Sequence, residues 1–230
     1  MSRLTKSRSE AIFCYVTDRR ILPVENPADA SAELSRRIEA AVAAGIDWIQ
    51  IREKDLSGKD CAALTNHALQ RAAKAAAGGA TPARILVNDR LDVALSEHAG
   101  GVHLGEHSLP VAEARRLVSY CGPGKGFLIG VSCHSLEAAK TAQRGGADYI
   151  FFGPVFATPS KTAYGAPQGV ARLGEVCRSV SLPVLAIGGV TLENTASCLA
   201  AGAAGIAAIR LFQDARDVKS LVQALREPKL

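Results

Sequence analysis

The stretch Tyr149-Ile150-Phe151-Phe152-Gly153-Pro154-Val155-Phe156-Ala157-Thr158-Pro159-Ser160-Lys161 passes from a short apolar run to two hydroxyls and a lysine. The run has the pattern of a buried strand. Thr158, Ser160 and Lys161 suit a phosphate, because the ammonium supplies a compact charge and the hydroxyls fix orientation. Such a turn is equally at home as a solvated surface loop. Polar groups recur behind other apolar runs. In Gln50-Ile51-Arg52-Glu53-Lys54, strand alternation puts Gln50 and Arg52 on one side. An Arg beside an amide there suits a diphosphate, or else belongs to a salt-bridged rim. Asn88-Asp89 ends a third run. An Asp at a strand end can hold Mg²⁺, which takes oxygen ligands and keeps several waters. Asn88 could pair with a heterocycle, and both residues are equally good helix caps.

Further along, Val102-His103-Leu104-Gly105-Glu106-His107-Ser108 places His103 on an apolar strand, the setting of a satisfied core histidine, and His107 in a loop. In Gly130-Val131-Ser132-Cys133-His134, Ser132 or His134 could face a site while Cys133 packs. Gly188-Gly189 after Ile187, and Arg210 after Ile209, close the set. Two glycines let backbone N–H groups approach an anion closely.

These residues need elements to position them, and the chain supplies a regular alternation. Strand-like segments fall at 11–17, 47–52, 85–88, 101–104, 127–132, 149–152, 183–187 and 205–209. Helix-like segments follow each, at 30–43, 57–77, 91–97, 110–120, 135–145, 170–180, 192–201 and 214–225. The helix at 57 opens with Ser57 and Asp60 in the form of a capping box, and the one at 110 opens with Pro110. Eight βα units in 230 residues predict an α/β protein that is a single (βα)8 TIM barrel spanning 11–230, with 1–10 as a loose N-terminal arm. An open nucleotide-binding sheet would need a Gly-rich first turn, and the turn here reads Thr17-Asp18-Arg19-Arg20. In a barrel every polar cluster above lands at the C-terminal ends of strands, the face that carries active sites.

Composition agrees. An apolar fraction of 48% is ample for a core, and no run is long enough to span a membrane. The polar N-terminus has no signal-peptide core, which points to the cytoplasm. Six scattered cysteines without a CxxC pair read as reduced thiols, mostly in the core. The net charge of +5 is dispersed and aromatics are only 5%, which argues against nucleic acid and for small phosphorylated substrates. Oligomerisation with further copies of the chain is left open.

On these motifs, from Tyr15-Val16-Thr17-Asp18 to Ile209, the chain resembles the thiamine phosphate synthase family, which includes the thiazole tautomerases. The resemblance implies a (βα)8 barrel that joins a pyrimidine methyl diphosphate to a thiazole phosphate with release of pyrophosphate. It implies that Gln50, Arg52 and Lys54 bind the diphosphate and pyrimidine, that Asn88 contacts the pyrimidine substrate, and that Ser132 binds substrate. Thr158 and Ser160 would hold the thiazole phosphate, Lys161 the diphosphate, and Gly189 and Ile209 a phosphate through backbone. Asp89 would be a Mg²⁺ ligand. The family's second metal-ligand Asp falls on Ser108, a Gln falls on Glu106, and a small residue falls on Arg210. Two other readings follow from the same resemblance: a tautomerase using His134 as acid/base, and a non-catalytic binder of the phosphorylated pyrimidine or thiazole.

Overall fold

A computed structural model describes residues 11–79, 81–122, 124, 126–158 and 166–227. The expected arm at 1–10, and Ser160 and Lys161, lie outside the described residues. Eight parallel strands close into a barrel in chain order: β1 Ile12–Val16, β2 Trp48–Ile51, β3 Arg84–Asn88, β4 Gly101–Leu104, β5 Leu128–Cys133, β6 Tyr149–Phe152, β7 Val184–Ile187 and β8 Gly205–Ala208. The closing pair is β1 with β8, with Cys14 opposite Ala207. Around them run α1 Ala30–Ala43, α2 Gly58–Ala77, α3 Leu91–Ser96, α4 Val111–Cys121, α5 Leu136–Arg144, α6 Gly169–Ser179, α7 Leu192–Ala200, α8 Arg210–Gln213 and α9 Val218–Arg226.

Strand alternation divides the apolar side chains into two cores. Phe13 and Tyr15 of β1 point outward and pack with the helices, joined by Leu34 and Ile38 of α1, both wholly buried. Ile12, Cys14 and Val16 point inward, into a separate cluster with Trp48, Leu86, Tyr149, Phe151, Leu185 and Ala207. That cluster fills the barrel, so it is a packed interior with no pore. Small residues make room for large ones. A Cβ on Gly130 would lie 2.0 Å from Cζ of Tyr149, so the glycine in β5 is what admits the Tyr149 ring. Trp48 meets that ring edge-on at 4.8 Å.

Several sequence-based boundaries move. Pro110 precedes α4 and is not its first helical residue. The last helix starts at Val218, not at Asp214, because Asp217 is the residue whose side chain accepts from Lys219 and Ser220 N–H groups. Residues 210–213 form the separate short helix α8, and β8 stops at Ala208, which leaves Ile209 as the residue before α8. Ser57 caps α2 by accepting from Asp60 N–H at 3.1 Å, but Asp60 answers through its carboxylate to the Ser57 hydroxyl. Cys121 is exposed, so it is not a core thiol, whereas Cys133 packs as expected.

Candidate active site

The C-terminal ends of the strands bring the polar residues together. Gln50, buried on β2, donates from Nε2 to Oδ1 of Asn88 on β3 at 3.2 Å. Asn88 in turn donates to Asp89 at 2.8 Å. Asp89 has a positive φ of 60°, which turns its carboxylate toward the loop after β4. There it accepts from Gly105 N–H at 3.0 Å and from the Ser108 hydroxyl. The N-cap position of α3 is occupied by Arg90 without a side-chain cap, so helix capping does not account for Asp89. Asp89 and Ser108, nineteen residues apart, form one oxygen-rich corner. A cavity of about 240 Å³ lies beside it, with Lys54, Asn88, Asp89 and Arg90 among its walls.

A second polar line descends into the barrel. Ser132 at the end of β5 meets Nε2 of His103 at 3.0 Å, and Nδ1 of His103 meets the Tyr149 hydroxyl at 3.1 Å. Phe151 stacks on the imidazole with ring centres 4.0 Å apart. Burial, opposed by the Asp89 charge and reinforced by Arg52, lowers the His103 pKa to about 3, so the ring is neutral. His103 is therefore the satisfied core histidine that its strand implied.

Arg52 lies past the end of β2, with Nη1 3.4 Å from Asp18. Its backbone N–H donates to Thr17 Oγ1 at 2.9 Å. Two buried polar residues that the sequence did not mark hold this corner. Glu53, with a fully buried carboxylate, accepts from the Thr17 hydroxyl at 2.6 Å and from the Arg19 guanidinium at 3.0 Å. Gln213 of α8 accepts from Asp18 N–H at 3.1 Å and donates to Asp18 O at 2.8 Å. The one signal for Glu53 was a carboxylate inside a strand-end motif; for Gln213 there was none. Arg210 is exposed and pairs with Asp214 at 3.7 Å.

The loops after β6 and β7 are joined backbone to backbone. Val155 N–H donates to Ile187 O at 2.9 Å, and Phe156 N–H to Gly188 O at 3.0 Å. Gly188 and Gly189 have φ of 94° and 63°, and a Cβ on Gly189 would stand 2.4 Å from Ala157 O. Only glycine fits this crossing, which carries the Thr158 loop past Gly189. His134 serves the same region: its Nδ1 donates to Gly153 O, and its carbonyl accepts from Gln168 at 3.0 Å. Its Nε2 is 3.9 Å from Glu106. Gln50, Asn88, Asp89 and Ser108 thus form one run of contacts, Ser132 ends the line through His103, the loops of Thr158 and Gly189 lie side by side, and Arg210 is exposed at the start of α8.

A packed eight-stranded barrel with polar side chains and glycine turns gathered at its C-terminal rim defines a (βα)8-barrel enzyme of the kind that takes phosphorylated substrates. Comparison with known proteins narrows the class. The family model of thiamine monophosphate synthase matches residues 21–212, and the chain belongs to that family. It is 46% identical to the thiamine-phosphate synthase of Methanoculleus marisnigri over 81% of this chain and 83% of that one. It is 43% identical to a putative thiamine-phosphate synthase of Geobacter sulfurreducens over 82% and 83%. The solved thiamine phosphate pyrophosphorylase of Pyrococcus furiosus superposes with a TM-score of 0.78 at 30% identity, over 95% of both chains. A 3-hexulose-6-phosphate synthase at 14% identity and a TM-score of 0.66 shares the fold.

Proposed function

We propose that the protein is a thiamine-phosphate synthase, a transferase that joins a pyrimidine methyl diphosphate to a thiazole phosphate. The convergence of Gln50, Asn88, Asp89 and Ser132 on one rim, in a chain of this family, is the observation that carries the reading. The C–O bond of the pyrimidine methylene breaks, and the diphosphate leaves with the electron pair. The thiazole nitrogen then gives its lone pair to the cationic methylene, so no base is needed. Gln50 and Asn88 orient the pyrimidine, and Ser132 touches the same substrate. Arg52, Lys54 and Lys161 bind the diphosphate and stabilise the charge it gains. Thr158 and Ser160 hold the thiazole phosphate, with backbone from Gly189 and Ile209, which places the nucleophile.

The rim also fits Mg²⁺. Among the described residues no three His, Cys, Asp or Glu side chains gather as a metal cage. Mg²⁺ needs none, since it is commonly held by one or two carboxylates together with substrate phosphates. Asp89 and Ser108 offer hard oxygen donors in contact with each other, with Glu106 in the same loop. When bound there, the ion would neutralise charge on the departing diphosphate. The condensation needs no acid/base histidine, and His134 supports the loop after β6 through Nδ1 on the Gly153 carbonyl. No helix among the described residues is long and apolar enough to cross a membrane, and we place the reaction in the cytoplasm. Incubation with both substrates and Mg²⁺ should release pyrophosphate in step with thiamine phosphate. Pyrophosphate release without the coupled product, or neither, would overturn the assignment.

A further inference from the structure

Three groups in the barrel share two hydrogen bonds, and counting their protons fixes the direction of both. Tyr149 is wholly buried and its hydroxyl reaches only Nδ1 of His103 among the described residues, at 3.1 Å. The His103 ring is buried against Phe151, and among the described residues its Nε2 reaches only Ser132 Oγ, at 3.0 Å. A neutral imidazole has one N–H and one lone pair. If Nδ1 carried the proton it would donate to the Tyr149 oxygen. The Tyr149 O–H would then be a buried donor with no acceptor, the arrangement folded proteins avoid. If Nε2 carries it, Tyr149 donates to Nδ1 and Nε2–H donates to Ser132 Oγ. Every buried polar atom of these three side chains is then satisfied. One proton is left over, that of the half-buried Ser132 hydroxyl at the rim.

We infer that Tyr149 and His103 act as positioning residues that hold Ser132 as a hydrogen-bond donor toward an acceptor atom of the pyrimidine diphosphate substrate. The polarity is set from the bottom of the barrel: Tyr149 dictates the tautomer, and the tautomer dictates which way the serine proton points. A serine facing a bare Nε2 would spend its proton on the ring and could offer the substrate only a lone pair. The inference rests on the reading of Ser132 as a substrate contact, but its first half does not, because the tautomer exists in the free protein. The same arrangement explains why a tyrosine stands opposite Gly130. A phenylalanine would fill that space but leave Nδ1 without a donor.

The test uses the full chain with ¹⁵N-labelled histidine and no ligand. The His103 signals are identified by their loss in His103→Gln and by their failure to titrate over about pH 5 to 9. They should show Nε2 protonated and Nδ1 bare. An Nδ1–H tautomer in the wild type overturns the inference, whatever the activity. In Tyr149→Phe, which removes one oxygen and keeps the ring, the tautomer preference should relax. KM for the pyrimidine diphosphate should then rise about three- to tenfold, the effect of one hydrogen bond, with kcat nearly unchanged. An unchanged KM in Tyr149→Phe alongside a raised KM in Ser132→Ala would show that Ser132 binds substrate without help from the relay. An unchanged KM in Ser132→Ala would instead remove Ser132 from the substrate site, a separate failure that leaves the tautomer result standing.

Discussion

Ser108 is where this chain departs most from the metal-site pattern it resembles, and its surroundings make the departure testable. Its hydroxyl donates to Asp89, and Gly105 N–H binds both of them, at 2.8 Å to Ser108 and 3.0 Å to Asp89. A carboxylate at 108 would lose that donor and set two negative groups side by side, a repulsion that a divalent cation relieves. Ser108→Asp should therefore lower the Mg²⁺ concentration that gives half-maximal rate, by roughly tenfold or more. It should also make the thermal midpoint rise with added Mg²⁺, since a ligand that binds only the folded state stabilises it. Titrating both proteins with Mg²⁺, by initial rate and by thermal unfolding, checks this. If both curves coincide with the wild type, Ser108 is not at the metal. The Asp89–Ser108 pairing was legible in the sequence only through the resemblance. Nothing in the spacing of two polar residues nineteen apart says that their side chains touch; that depends on the positive φ at Asp89.

At the scale of elements, the site is held by joints between loops. Gly189 is one. With a φ of 63° and Ala157 O lying 2.4 Å from where a Cβ would be, Gly189→Ala must push apart the loops after β6 and β7. Strain at such a backbone position costs about 1–3 kcal/mol. The expected result is a lower urea midpoint and a KM for the thiazole phosphate raised well beyond that for the pyrimidine diphosphate; equal changes in both would mean that the joint does not hold the thiazole side. Gln213 is another. It satisfies both the N–H and the carbonyl of Asp18, linking α8 to the loop that carries Arg20 and Arg52 on the Asp18 carboxylate. Gln213→Ala leaves the buried Asp18 N–H unpaired, at roughly 1–3 kcal/mol, while the Asp18 carbonyl keeps the Ile21 N–H at 3.3 Å. Equilibrium unfolding should show a loss of that order, and a loss under about 0.5 kcal/mol would mean that water replaces the amide. The alternation of strands and helices was plain in the sequence because each long helix carries a periodic apolar face. The four-residue α8 has too few positions to show a period, so the helix predicted from 214 absorbed the segment beside it. Glu53 and Gln213 escaped notice for a related reason: their partners lie 36 and 195 residues away.

For the molecule as a whole, the barrel's interior sets how the fold meets acid. Most of that interior is apolar and indifferent to pH, but His103 sits in it as a neutral base whose pKa burial has lowered from 6.5 to about 3, with Asp89 pulling it up and Arg52 pushing it down. Between those two values the unfolded chain takes up a proton that the folded chain refuses. Proton binding then favours the unfolded state, so stability falls as the pH drops below 6.5 and the loss is complete only near 3. At about 1.4 kcal/mol per pH unit, the two units between 6.5 and 4.5 correspond to up to about 3 kcal/mol. Carboxylates also contribute to acid loss, because Arg37 holds Glu33 low, Arg19 holds Asp55 low and Arg90 holds Asp92 low. These pairs are unaffected by a change at 103, so a difference between two proteins isolates the histidine. His103→Gln gives up two hydrogen bonds and should be less stable than the wild type at neutral pH. Its stability should nevertheless decline less on acidification, so that the two curves of unfolding free energy against pH converge toward about pH 4.5. Parallel curves would mean that protonated His103 is accommodated in the barrel, through entry of water or movement of Phe151, and that the interior is softer than its packing implies.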